Sequence, residues 1–210
     1  MLMVRILKKY LPDDLDFTKI SDYILCHDLP EAITGDITKF EGVSSEEIKR
    51  VTEMAIEYLG DTFNGVMNIR EIIGDYEARV DIESKVVNML DKLHSSTTFI
   101  KYESEQHVDL DDPRIIPELR QLPFVVKDIE DGCDLADIFF KFHIKAVNIS
   151  DEECEKYSIS REYADQIVNA IRGFGNEIYS QKLNGTLLDT KNDFPQKAMI
   201  YNRNAKKVVN

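Results

Sequence analysis

The chain is short of cationic side chains, of cysteine and of long apolar runs, and each shortage removes a class of function. Lysine and arginine together number 26 against 39 acids, so the formal charge is −13 over 210 residues. Gripping duplex DNA or RNA needs a basic face that displaces counterions from phosphates, which argues against a nucleic acid polymer as the main partner. A small phosphate ester stays within reach if a metal ion supplies positive charge locally. Cysteine occurs only at Cys26, Cys133 and Cys154, never as a CxxC pair. That usage predicts reduced thiols in a cytoplasmic protein and no zinc knuckle. No apolar run is long enough to span a membrane and no signal-peptide pattern opens the chain, so no membrane partner is expected. A Gly-rich phosphate loop and a GxSxG elbow are both missing.

What is present is helical. Apolar content is 43%, and its periodicity is that of helices, with no alternating strand-length runs and no repeat. Residues 1–11 carry Val4, Leu7 and Leu11 at helical spacing and stop at Pro12. Phe17, Ile20, Ile24 and His27 predict a second helix with His27 on its inward stripe. Ser44 and Glu47 form a capping-box pattern for a helix whose face is Ile48, Val51, Ala55, Tyr58 and Leu59, ended by Gly60. Further helices are expected over 63–76, 81–102, 134–147 and 160–182. Residues 106–131 read as an Asp- and Pro-rich loop with one short helix near Ile115–Leu122. The expected architecture is all-α: a core over 1–105, a helical extension over 106–185 packed on it, and a tail over 186–210.

The segment that carries chemistry is His27-Asp28-Leu29-Pro30-Glu31-Ala32-Ile33-Thr34-Gly35-Asp36. Adjacent His and Asp side chains serve one ion only where the backbone leaves a helix, and Pro30 disfavours helical geometry at the residue before it. Asp91, on a different helix, is eligible to meet them across a bundle. One imidazole and two carboxylates suit Mn²⁺, Co²⁺, Fe²⁺, Mg²⁺ or Zn²⁺. Such an ion acidifies water and polarises phosphoryl oxygens, while Glu31 and Asp36 stand where carboxylates could move protons. The plainer alternative is a hydrogen-bonded core histidine followed by an aspartate that ends a helix.

The string His27-Asp28-Leu-Pro-Glu31-Ala-Ile-Thr-Gly-Asp36-Ile resembles the central motif of the HD-domain phosphohydrolases. It is most similar to the branch containing the bacterial 5′-deoxynucleotidases and their eukaryotic relatives. The likeness covers about residues 1–105, and its last aspartate corresponds to Asp91 in Lys85-Val-Val-Asn-Met-Leu-Asp91. The resemblance implies an all-α HD-domain bundle with His27, Asp28 and Asp91 as metal ligands. It implies Glu31 as the carboxylate working on the attacking water and Asp36 as a second acid near the scissile phosphate. The implied activity is metal-dependent hydrolysis of nucleoside or deoxynucleoside 5′-monophosphates.

Two departures bear on this. The family's first histidine would fall at or before Met1, and neither Met1 nor Met3 replaces an imidazole. Either Met1 is internal to a longer product, or three side chains bind the ion weakly, or the chain is a silent relative. His94, three positions after Asp91, is either a substitute ligand or a polar residue at the bundle edge. Asn88 stands where relatives commonly carry lysine. Elsewhere, His107 with Asp109, Asp111 and Asp112 reads as a solvated acidic loop. His143 among phenylalanines reads as packing, and Cys26 lacks the base a nucleophile needs. The rival function is a non-catalytic nucleotide-binding or protein-interaction module on the same scaffold. A homodimer is left open.

Overall fold

Asp16 starts the helix that leads to the HD pair. In a computed structural model, which describes residues 2–37, 43–102 and 123–184, its carboxylate accepts from the amides of Thr18 and Lys19 at 2.9 and 3.0 Å. This satisfies two of the donors a helix start leaves open. The Asp16 amide in turn donates to Glu83 at 3.1 Å. The resulting helix α2 spans Phe17–Cys26, after a short α1 at Leu2–Leu7. Val4, Leu7 and Leu11 are buried as their spacing predicts, although the helix itself stops at Leu7. On α2 the buried stripe is Ile20, Tyr23 and Cys26 rather than Phe17, Ile20, Ile24 and His27, of which only Ile20 is fully buried.

The chain turns through 27–30 into the four-residue α3, Glu31–Thr34, and then into α4 at Ser45–Thr62. Ser44 accepts from the Glu47 amide at 3.2 Å, but the reciprocal half of the expected capping box is not made. Arg50 takes the Glu47 carboxylate with two bonds, at 2.6 and 3.1 Å. Helix α4 also runs past Gly60, where the Arg70 side chain lies so close that a Cβ would stand 2.5 Å from its guanidinium carbon. Arg70 binds Glu57 and Asp61 across that gap. Tyr58, expected inside, is 63% exposed, while Ala55 and Leu59 hold the buried face.

Helix α5, Ile69–Ala78, packs on α2 and α4, and Cys26, Leu59, Ile69 and Ile73 form a common cluster. It begins later than the expected 63–76 helix because Gly65 sits in a turn at φ 81°. It closes at Arg79, which adopts the left-handed region at φ 49°. Lys156 and Tyr157 hold the Arg79 carbonyl, at 2.7 and 3.2 Å. Helix α6 then runs over Ile82–Tyr102, capped by Asp81, which accepts from the Ser84 amide at 2.8 Å.

Residues 123–130, expected in a loop, form helix α7, Pro123–Glu130; proline at the first helical turn removes no bond there. Leu135–Ala146 is α8 and Arg161–Leu183 is α10, both near their expected bounds. Between them lies an unexpected helix, α9, Asp151–Tyr157, opened by a full capping box of Ser150 and Glu153. All regular structure among the described residues is helical. The expected helix near Ile115–Leu122, the loop of His107, Asp109, Asp111 and Asp112, and the tail 186–210 lie outside the described residues.

The chain divides into two compact units. The first comprises Met1–Lys92 with Val147–Arg172; Lys85 on α6 there pairs with Glu153 on α9 at 2.5 Å. The second comprises Leu93–Ala146 with Gly173–Asn210. In it Lys182 pairs with Asp134 and Asp137 at 2.8 and 2.5 Å, and Tyr179 stacks on Phe140 at 4.4 Å. A Cβ on Gly175 would stand 2.6 Å from the end of the Leu93 side chain, which would have to shift to admit it.

Candidate metal centre

His27 follows the last residue of α2 and keeps helical dihedrals, with its amide still bonded to the Tyr23 carbonyl at 3.0 Å. Pro30 and Glu31 start α3 one turn later, so His27 and Asp28 sit on the outside of a corner between two helices. Gly35 ends α3 at φ 77° and ψ 161°, with open space around a would-be Cβ. Conformation, not crowding, requires glycine there. That turn sets where Asp36 follows Glu31. Asp91 comes from α6 of the same unit.

The imidazole's two nitrogens face different surroundings. Nδ1 lies 3.1 Å from the carbonyl oxygens of both Tyr23 and Ile24. Carbonyls only accept, so Nδ1 carries the proton and donates. Nε2 is buried without a hydrogen-bond partner. It faces Asp28 Oδ2 at 3.1 Å, at an angle that makes no hydrogen bond, and Asp91 Oδ1 at 3.9 Å. The His27 side chain is 12% exposed, whereas those of Asp28 and Asp91 are 62% and 45% exposed. Burial draws the imidazole pKa down, but the Asp91 and Asp28 carboxylates more than offset it and leave it raised. Solvent reaches Glu31, yet partial burial and then the charges of Asp28 and Asp36 push its carboxyl up. Asp36 is exposed.

A model of the HD domain matches residues 1–115. That is more than half the chain. The protein belongs to the HD domain family, a superfamily of metal-dependent phosphohydrolases. No curated protein and no solved structure matches it.

The HD residues suit a cation in kind. Two donors about 2.1 Å from one ion and at right angles lie about 3 Å apart, which is the His27 to Asp28 separation. A buried nitrogen with an unused lone pair beside two carboxylates is a donor set for a divalent metal. Among the described residues, however, no group of three or more His, Cys, Asp or Glu side chains has the spacing of a ready cation cage. Of the other candidates, His94 is exposed and three positions beyond Asp91 on α6. His143 packs against Phe142 and Phe139, at ring separations of 5.3 and 5.9 Å, with the Ser96 hydroxyl 2.6 Å from Nδ1. The Cys26 thiol is buried, touches Met67 sulfur at 3.5 Å, and is pushed up in pKa by burial.

Sequence reasoning passed over Tyr76. Its ring lies 5.1 Å from the His27 ring, and burial pushes its hydroxyl up in pKa. The only sequence signal was an aromatic at helical spacing on α5, which reads as core.

Proposed function

We propose that this HD domain protein hydrolyses nucleoside or deoxynucleoside 5′-monophosphates with a divalent ion held by His27, Asp28 and Asp91. The observation that carries the reading is the buried Nε2 of His27, without a hydrogen-bond partner, facing one carboxylate from the turn after α2 and one from α6. The ion would supply positive charge to the phosphoryl oxygens and make water more acidic. The protein's own residues do the rest. Backbone carbonyls hold the His27 proton on Nδ1 and keep the lone pair on Nε2. Glu31, with its carboxyl pushed up, is a stronger base than a free carboxylate and is suited to take a proton from the attacking water. Asp36, beyond the Gly35 turn, is the second acid, for the leaving oxygen. Mn, Co, Mg, Fe and Zn all remain compatible with nitrogen and oxygen donors.

A local ion also answers the charge problem, since a net −13 repels a free phosphate ester. No helix among the described residues is long and apolar enough to cross a membrane. All three cysteines are free, which supports the cytoplasmic setting proposed here.

The test is metal analysis of the full chain followed by phosphate release from deoxynucleoside monophosphates with Mn²⁺ or Co²⁺. Hydrolysis abolished by Asp91→Ala, with the helical signal retained, supports the hydrolase. Failure to take up any ion at millimolar concentration sinks it and leaves the non-catalytic binding module.

A further inference from the structure

Tyr76 lies outside the His-Asp string and outside the set of ligands and acids assigned above, yet it covers the one histidine in that set. Its half-buried ring stands 5.1 Å from the His27 ring, tilted by 58°, and 6.1 Å from the ring of Tyr23 at 43°. Tyr23 is itself immobilised. It is 1% exposed, and its hydroxyl donates to Asp81 at 2.8 Å, while Asp81 pairs with Lys19 at 2.6 Å. The Tyr23 carbonyl is one of the two acceptors of the His27 Nδ1 proton. One edge of the imidazole is therefore tied to the backbone, and the ring packs against Tyr76 at a tilt.

Neither constraint is enough alone. A bond at Nδ1 leaves the ring free to swing about the line to its acceptor, which would carry Nε2 away from the carboxylates. Packing alone leaves the ring free to flip about its Cβ–Cγ bond, which puts Cδ2 where Nδ1 was and Cε1 where Nε2 was. Together they leave one orientation, with Nδ1 toward Tyr23 and Ile24 and Nε2 toward Asp28 and Asp91. Partners that orient a ligand histidine in this way commonly govern metal affinity without touching the ion.

We propose that Tyr76 is a positioning residue whose ring fixes the imidazole plane of His27, so that Nε2 faces Asp28 and Asp91. The aromatic ring does this, not the hydroxyl. The consequence for turnover rests on the hydrolase reading, whereas the orientation of the imidazole does not.

The experiment compares the full chain with Tyr76→Phe, Tyr76→Leu and Tyr76→Met, each checked for an unchanged helical signal. In the metal-free proteins, long-range proton–nitrogen spectra read the two His27 nitrogens at alkaline pH, raised until the shifts stop changing and the imidazole is neutral. The unsubstituted chain and Tyr76→Phe give one tautomer, protonated at Nδ1. Tyr76→Leu moves both shifts toward a tautomer average, and its Mn²⁺ affinity falls about 10- to 100-fold. Tyr76→Met answers the same question if the leucine variant does not fold. Unchanged His27 nitrogens in a folded leucine or methionine variant overturn the inference. So does a phenylalanine variant as impaired as leucine, because the hydroxyl would then be the active part. If the unsubstituted chain binds no ion, the hydrolase reading has failed and the nitrogen shifts alone decide the role of Tyr76.

Discussion

At His27 two backbone carbonyls stand at one ring nitrogen and two carboxylates stand near the other. The sequence displayed half of that arrangement. His27, Asp28, Glu31 and Asp36 could be singled out because they crowd one short string around a proline and a glycine. Asp91 was eligible from its place on another helix, but only the resemblance picked it out, because local spacing says nothing about which helices meet. Tyr76 could not be singled out at all: an aromatic on a helical stripe looks the same whether it faces hydrocarbon or an imidazole. Thiol burial gives a separate check at this scale. Cys26 and Cys154 are 1% and 8% exposed while Cys133 is partly open. Brief alkylation of the native protein with iodoacetamide, followed by peptide mass spectrometry, should label Cys133 well before the other two. Early labelling of Cys26 would mean that the corner holding His27 opens readily.

Among the elements, the long amphipathic helices α6 and α10 were legible because their apolar stripes repeat over several turns. Helix α9 was not, because Asp151–Tyr157 is short and nearly all polar. Its real signal was the Ser150 and Glu153 pair, the same capping pattern that was read at Ser44, where Arg50 diverts the glutamate. Glu153 serves two ends at once, accepting from the Ser150 amide at 2.8 Å and pairing with Lys85 at 2.5 Å. Ser150→Ala should cost about 1 kcal/mol by urea denaturation. Glu153→Ala, which also strands Lys85, should cost about 2 kcal/mol. Equal losses for the two would show that the Lys85 pair contributes nothing. In α10, Lys182 is 12% exposed and answers two carboxylates of similar burial. Lys182→Met leaves both uncompensated and should destabilise by about 3 kcal/mol.

Over the whole molecule, acidity acts in two opposed directions. Burial raises the pKa of Asp81, Asp137 and Glu153, but bonds from Lys19, Lys182 and Lys85 respectively outweigh it and leave all three lowered. Carboxylates depressed in the folded state contribute stability that is complete at neutral pH and fades as the pH falls through their folded values. Relief of the −13 charge works the other way on mild acidification. The thermal midpoint should therefore hold or rise slightly from pH 7 to about 5 and drop steeply below about pH 4. A steady decline from neutrality would contradict this, and calorimetry across that range decides. The all-α class was legible at this scale from periodicity. The interleaving of Met1–Lys92 with Val147–Arg172 was not, since nothing local in a sequence marks a return. That return matters at one backbone carbonyl. Arg79, left-handed without being glycine, keeps its bend because a lysine and a tyrosine from far downstream clasp it. The stretch that matches the family, 1–115, thus ends before the hands that hold its own elbow. Cut there, the fragment should melt earlier than the intact chain, and the two helices that flank the bend, α5 and α6, should lose protection from hydrogen exchange first.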